Sequence, residues 1–486
     1  MARHRHRESA ATMRRSNKRI KSTEGDVTMA KVIDIGRVFD DQRIGSFHIM
    51  LLLLSFLTMM TEGFDIGIAA YAGPGILKEW HLNGRELGAL FSSSIAAGFI
   101  GPPLFGFLSD KFGRKRVIVC GVYVFGLFTL AAVLTSSLGE LIAARVLAGV
   151  ALGGTLPIVV TMNNEFAPAR VRATLVVLIF MGVTFGGGLP GFAATKLMGD
   201  YGWRVLFWIG GVAPLLIATV LAFALPESIK FLALRPQRRG ELVALLKRLR
   251  SDLVIEPDTQ FVISGEENRS RFSMPALVAG RLAVLTPLFW ASNFLAVMSL
   301  YFMNQWLPTV LSTAGVPTSL AAIATTVFQF SGSLAGLVSM RFLDKRGFVP
   351  VPILFACAIP IVACIGIPNL PPYVLLALVS GAGFCILGSQ SGNIATEGNI
   401  YPTYIRAWGV GSNFAVGRIG GALGPLLGGV AFAAKMPAQQ IFLIATVPLF
   451  LGLIATVAIV PLYRRHLRIL RAEQDGATAA IARPAA

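Results

Sequence analysis

Two carboxylates, Glu62 and Asp65, stand three residues apart in Thr58-Met59-Met60-Thr61-Glu62-Gly63-Phe64-Asp65. The stretch lies inside an apolar run from Phe47 to Pro74. In a helix, positions three apart share one face. A carboxylate within hydrocarbon is costly and rare, and functional by default. The chemistry open to such a pair is the binding and release of a proton. The plainer alternative is that both acids sit near a helix end and reach water. Arg145 is the natural partner by depth. Glu62 lies about 12–15 residues into its run, roughly 18–22 Å from one face; Arg145 lies about 5 residues, roughly 8 Å, below the other. The two depths agree. Burial disfavours a charged carboxylate and a nearby guanidinium favours it. A group held between those influences can exchange its proton as its surroundings change. Proton coupling is therefore assigned to Asp65, Glu62 and Arg145, with Asp65 preferred over Glu62 as the carrier and a structural salt bridge as the alternative for Arg145. Only five histidines occur, none in the middle of an apolar run, so carboxylates must carry the proton chemistry.

Arg418 is the second charged residue at depth, about 11 residues into its run and near the midplane. A guanidinium there must face the protein interior or a wet cavity. Its planar fork suits a carboxylate. The alternative is a fixed partner such as Glu397.

The elements that must position these groups are membrane helices. The chain has 486 residues, of which 54% are hydrophobic and only 14% charged, too apolar for a soluble protein of this length. Its net charge of +18 does not indicate nucleic acid. The basic residues gather in the N-terminal tail (Arg3 to Lys21) and in alternate loops: Lys111 to Arg116, Arg170 and Arg172, Lys230 to Arg281, Arg341 to Arg346, Arg406, and Arg464 to Arg471. That alternation is the positive-inside pattern, which places both termini in the cytoplasm and requires an even number of spans. The first 45 residues do not read as a secretory signal, and Met29 is an alternative start. Cys120, Cys357, Cys364 and Cys385 all fall in apolar runs with no disulfide or zinc spacing. No metal site or cofactor is expected. No nucleophile–base pair or nucleotide loop points to an enzyme, and no catalytic residue is assigned.

Twelve spans are expected at about 47–74, 84–107, 117–136, 140–163, 173–195, 204–225, 282–311, 318–340, 349–367, 371–396, 407–433 and 438–463. The fold class is an all-α membrane protein. Its parts are a basic cytoplasmic tail (1–45), a six-helix bundle (46–225), a cytoplasmic linker (226–280), a second six-helix bundle (281–463) and a tail (464–486). The bundles repeat. Asp110 and Asp344, Gly113 and Gly347, Pro168 and Pro402, and Arg172 and Arg406 are each 234 positions apart. Four markers at one offset, in two loops, indicate parallel six-helix repeats, the plan of a transporter that rocks about a central site.

The loop Gly106-Phe-Leu-Ser-Asp110-Lys-Phe-Gly113-Arg114-Lys115 resembles the cytoplasmic signature of the major facilitator superfamily, and Arg145-Val-Leu-Ala-Gly149-Val-Ala-Leu-Gly153-Gly154 its arginine–glycine motif. Glu62-Gly-Phe-Asp65, Leu225-Pro-Glu-Ser-Ile-Lys-Phe-Leu232, Trp306-Leu-Pro308 and Arg418-Ile-Gly-Gly-Ala-Leu-Gly424-Pro425 resemble one branch, the aromatic acid:proton symporters. The similarity runs from about Asp34 to Arg471. Many members of that branch have Asp where this chain has Glu62; the glutamate resembles the hydroxyphenylpropionate type.

The resemblance implies a cavity lined by spans one, four, seven and ten. An aromatic acid needs a flat apolar slot with a few polar contacts. Arg418, Asn293, Tyr301, Asn304, Gln305, Trp306, Gln329, Gln390 and Asn393 are the candidates, though any of them could instead bond a neighbouring helix. The resemblance also implies that Asp110, Gly113, Arg114, Glu165, Arg172, Asp344, Glu397 and Arg406 form an interlocking cytoplasmic network that joins the halves in the outward-open state. The plainer reading of those basic loops is topology alone. Gly420 to Gly429 is similar to an antiporter glycine–proline motif, which belongs in span five rather than eleven. The expected function is proton-coupled uptake of a small aromatic carboxylate by a monomer in the cytoplasmic membrane. The partners are the acid, a proton and lipid. The alternatives are a proton antiporter, a symporter of a non-aromatic acid, and a non-transporting sensor.

Overall fold

In a computed structural model, the structure describes residues 32–35, 38–40, 42, 44–250, 253, 255–256, 259–262, 274–397, 400–401 and 405–481. The tail up to residue 31 and Pro402 lie outside the described residues, as does the side chain of Asp344.

Each expected apolar run is a helix. The first half comprises α1 (Ser46–Glu79), α2 (Gly84–Phe112), α3 (Arg114–Leu134), α4 (Leu138–Phe166), α5 (Arg172–Tyr201) and α6 (Arg204–Ala224). The second comprises α7 (Leu282–Thr313), α8 (Thr318–Arg346), α9 (Pro350–Ile365), α10 (Pro372–Glu397), α11 (Arg406–Ala433) and α12 (Ala438–Ile481). Among the described residues, ten are long and apolar enough to cross a membrane. The apolar α9, at 16 residues, is shorter. Helix α1 runs past Pro74 to Glu79, and α12 runs on to Ile481.

Helix ends follow local chemistry. Asn83 caps α2 in a reciprocal box: its Oδ1 accepts from Glu86 N (3.0 Å), and Glu86 Oε2 accepts from Asn83 N (2.8 Å). Gly113 joins α2 to α3 at φ 101°, a left-handed value that L residues avoid. A Cβ there would also strike the Glu227 carboxylate.

The linker defines one face of the molecule. Its described residues include the short helices Ile229–Ala233, Arg239–Leu249 and Met274–Leu277 and the strand β2 (Gln260–Val262). Strand β1 (Val32–Asp34) pairs in parallel with β2, Ile33 opposite Phe261, and so fastens the N-terminal segment to the linker. The halves meet along α1–α7, α2–α11 and α5–α8. These seams run from the midplane to the face opposite the linker, the far face. There Gly88 of α2 lies against Pro425 and Gly429 of α11, where a Cβ would come within 2.9 Å of the Pro425 oxygen. Ser92 Oγ donates to Ala422 O (2.7 Å), and Tyr71 Oη and Thr326 Oγ1 are hydrogen-bonded (3.2 Å). Phe91, Trp306 and Phe432 fill the seam with ring centroids 5.2–5.4 Å apart. The far face is thus closed by packing.

Candidate functional site

The site begins where α1 is pressed against α5. A Cβ on Gly63 would overlap the Val183 carbonyl, so the backbones touch there and the two acids point elsewhere. Asp65 is fully buried and turned to α4. It accepts from Arg145 Nη1 (2.5 Å) and Nη2 (2.9 Å) in a fork, and from Thr129 Oγ1 of α3 (3.2 Å). Arg145 is 2% exposed and adds a bond to the Asp65 carbonyl (3.4 Å). It lies 5.9 Å from the Phe207 ring centroid, and its Nε has no partner.

Glu62 differs from its neighbour. It is 8% exposed and makes no hydrogen bond among the described residues. The charge of Arg418 acts on it across the seam, and Tyr301 lies in the same field. Arg418 is half-buried, and its Nη1 donates to Gly98 O (2.5 Å). That carbonyl is available for a local reason. The residue four positions on is Pro102, which has no N–H to complete the helical bond. A fixed pair between Arg418 and Glu397 is not formed.

The remaining substrate candidates fall into three places. On α7, Gln305 Nε2 donates to Ile66 O of α1 (3.2 Å), while Gln305 Oε1 and Asn304 Oδ1 are buried without partners. Tyr301 lies one turn below Gln305. Gln329 is buried against Gly187 of α5. Trp306 is fully buried in the far-face seam, its Nε1 donating to Pro425 O (2.8 Å), so its polar edge is already used. Nearer the linker face, Ser292 Oγ donates to Asn393 Oδ1 (3.0 Å), and Asn293 Nδ2 to Asn413 O (3.0 Å). Gln390 is half-buried on α10.

At the linker face the charged candidates bond to neighbours in their own bundle, the linker or the N-terminal segment. Arg114 pairs with Glu165 and also bonds Ser228. Glu397 accepts from Asn413 Nδ2 (2.5 Å) and Tyr401 Oη (3.5 Å). Arg406 donates to Tyr401 O (3.4 Å). Arg172 pairs with Asp40 (2.9 Å). Asp110 is exposed, and its carbonyl accepts from Arg235 (3.3 Å). Two residues here had no role assigned from the sequence. Glu227 Oε1 accepts from Arg114 N (2.8 Å) and Lys115 N (3.1 Å), placing a carboxylate on the N-terminus of α3. Ser228 is fully buried and donates to Glu165 (2.5 Å). Their signal was the Pro-Glu-Ser run itself. Further out, Arg238 forks onto Glu241 and holds that carboxyl below its usual range, but the pair is exposed and worth little.

Residues 51–406 match the family model of the Major Facilitator Superfamily. The chain is 30% identical over 427 residues to the gallate transporter of Pseudomonas putida, covering 88% of this chain and 95% of that one. It is 31% identical over 394 residues to the 3-(3-hydroxy-phenyl)propionate transporter of Escherichia coli, covering 80% and 88%. Among solved structures it is similar to the inward open conformation of the xylose transporter XylE from E. coli. The TM-score is 0.65 at 17% identity, over 85% of this chain and 95% of that one.

Proposed function

The chain belongs to the major facilitator superfamily, and from that membership we propose that it takes up a small aromatic carboxylate together with a proton by alternating access. The aromatic cargo is supported by relatives named for gallate and hydroxyphenylpropionate. The linker face, rich in Lys and Arg, is the cytoplasmic side by the positive-inside rule. The closed far face then corresponds to an inward-facing state in the inner membrane.

One observation carries the mechanism: Glu62 is a buried carboxylate with no hydrogen bond among the described residues, and it lies within the field of the Arg418 guanidinium. Glu62 takes the proton. Protonating Asp65 would cost its fork with Arg145, whereas Glu62 has no bond to lose. Arg418 takes the substrate carboxylate, with Tyr301 beside it. Trp306 serves the seam rather than the cargo. The network of Asp110, Gly113, Arg114, Glu165, Arg172, Asp344, Glu397 and Arg406 re-pairs between halves when the far face opens, biasing a two-state equilibrium.

The test is uptake of labelled aromatic acids into proteoliposomes under imposed pH gradients. Accumulation driven by an inward proton gradient is expected. Accumulation under the opposite gradient would reverse the reading to antiport, and binding without movement would make the protein a sensor.

A further inference from the structure

The linker face holds a segment of chain that belongs to neither six-helix bundle. Between Val32 and Gln42 the described residues form a strap laid across the linker and the α4–α5 loop. Ile33, Ile35, Val38 and Phe39 are each no more than 8% exposed. They share one apolar core with Phe166 of α4 and with Leu242 and Leu246 of the linker, and the Phe39 and Phe166 ring centroids are 5.6 Å apart. Polar bonds tie the strap on both sides. Towards the linker, Ile35 N donates to Val262 O (2.8 Å), Gln42 Nε2 donates to Leu249 O (2.9 Å), and Arg250 bonds Val38 O. Towards the loop, Ala169 N donates to Asp40 O (3.3 Å), Arg170 donates to Gln42 O (3.5 Å), and Asp40 pairs with Arg172 (2.9 Å). That ion pair is partly exposed and contributes little. The four buried apolar side chains supply the hold.

The repeat shows what the strap adds. Arg172 donates to Ala167 O (3.1 Å), and Arg406, 234 positions on, donates to Tyr401 O (3.4 Å). Each loop arginine thus closes its own loop in the same way. The preceding carbonyls match too: Phe166 O lies 3.1 Å from His48 Nε2, and Ile400 O lies 2.9 Å from His466 Nε2. Of the two arginines, only Arg172 has a further partner among the described residues, Asp40 of the strap. The linker itself divides. Its first part is held to the first half: Glu227 accepts from Arg114 N (2.8 Å), and Arg235 donates to the carbonyls of Asp110 (3.3 Å) and Lys111 (3.0 Å). Its last helix, Met274–Leu277, is held to the second half: Leu277 is fully buried, and its carbonyl accepts from Thr286 Oγ1 of α7 (2.7 Å).

We propose that the strap is a permanent clamp that makes the α4–α5 loop and the linker as far as Val262 one rigid body with the first half. Met274–Leu277 travels with the second half. Rocking then displaces the two parts of the linker relative to each other and leaves the strap seated. Releasing it would expose four apolar side chains and open a strand pair in every transport cycle, which burial disfavours in both states. The assignment rests on the reading of alternating access and is independent of the cargo.

The test uses the full chain without its four native cysteines. Val32→Cys with Gln260→Cys places two thiols at facing, exposed positions of the strand pair. Oxidation should cross-link them and leave proton-driven uptake in proteoliposomes within about twofold of the reduced protein. Separately, Ile35→Cys, at a position 1% exposed, should resist a membrane-permeant maleimide with or without substrate and a pH gradient. Adding Phe39→Ala should make that cysteine reactive and lower uptake, because the clamp loses its largest buried side chain. A cross-link that stops uptake until it is reduced overturns the proposal, since the strap must then release during the cycle. Failure to cross-link, or Ile35→Cys labelling that rises during transport, overturns it as well. So does unchanged labelling and uptake in Phe39→Ala. Should Phe39→Ala fail to fold, the cross-link and the single cysteine still decide. Absence of uptake of every aromatic acid overturns the reading of the cargo and leaves cross-link yield and labelling under the gradient to decide this one.

Discussion

Replacing each acid of α1 by its amide should separate fold from coupling. Asp65 accepts two hydrogen bonds from Arg145 (2.5 and 2.9 Å) and one from Thr129 (3.2 Å), and neither member of the ion pair is more than 2% exposed. Asp65→Asn leaves the buried guanidinium one neutral amide oxygen in place of a charged fork, with the backbone carbonyl of residue 65 at 3.4 Å and the Phe207 face as its other partners. Breaking a buried pair on one side costs about 3–5 kcal/mol. At about 1.4 kcal/mol per factor of ten, the folded-to-unfolded ratio should fall by roughly two to more than three orders of magnitude. Glu62 has no hydrogen bond to lose, so Glu62→Gln should cost clearly less stability than Asp65→Asn. Thermal unfolding in detergent measures the first effect. Proton-driven uptake and substrate counterflow measure the second. Glu62→Gln should keep counterflow and lose accumulation against a gradient, while Asp65→Asn should lose stability and both activities together. A Glu62→Gln protein that still accumulates substrate under a proton gradient refutes the assignment of the carrier. An Asp65→Asn protein as stable as wild type refutes the energetic argument.

Two further substitutions probe the seam and the linker face. Gly88→Trp cannot fit against Pro425 and Gly429, so the far face should stay open and uptake should fall to background. In a background without the four native cysteines, Thr309→Cys, now fully buried, should then react with a membrane-impermeant thiol reagent added from the far side. Glu227→Ala removes the carboxylate that caps α3 and should cost about 1–2 kcal/mol in thermal unfolding. Glu227→Gln should restore part of that loss, since its carbonyl oxygen can still accept.

The twelve helices were legible because each is a long apolar run, and hydropathy reads such runs directly. The approach of Arg145 to α1 was legible for a related reason: depth along two antiparallel helices is simple arithmetic. Which acid it would take was not, because Glu62 and Asp65 share a face to within 60° and only the contact of Gly63 with α5 sets the rotation. The tether of Arg418 to Gly98 was written as Gly98-Phe-Ile-Gly-Pro102, but a carbonyl freed by a proline says nothing of which distant side chain will claim it. Trp306 was ambiguous for the opposite reason. A deep indole suits a binding slot and an interhelical wedge equally, and the chain's order does not say that its Nε1 donates to Pro425 O in this state.

Coupling follows from charge at the midplane if the proposed roles hold. The 234-residue repeat carries Glu62 and Asp65 onto Ala296 and Ser299, so the second half has no titratable counterpart of either. Arg418 maps back onto Thr184, so the first half has no counterpart of the cation. One half therefore supplies the proton site and the other the anion site, and they meet across the seam that must open and close. Empty, Glu62 and Arg418 sum to zero. A bound carboxylate alone leaves two anions facing one guanidinium, an excess charge that a closing, low-dielectric seam disfavours. A proton on Glu62 restores neutrality. Only the empty and the doubly loaded states then close readily. A ligand shifts such an equilibrium only through its differential affinity for the two states, and here the proton provides that difference for the acid. A permanently neutral residue at position 62 should pass the acid in exchange while losing any dependence on the proton gradient.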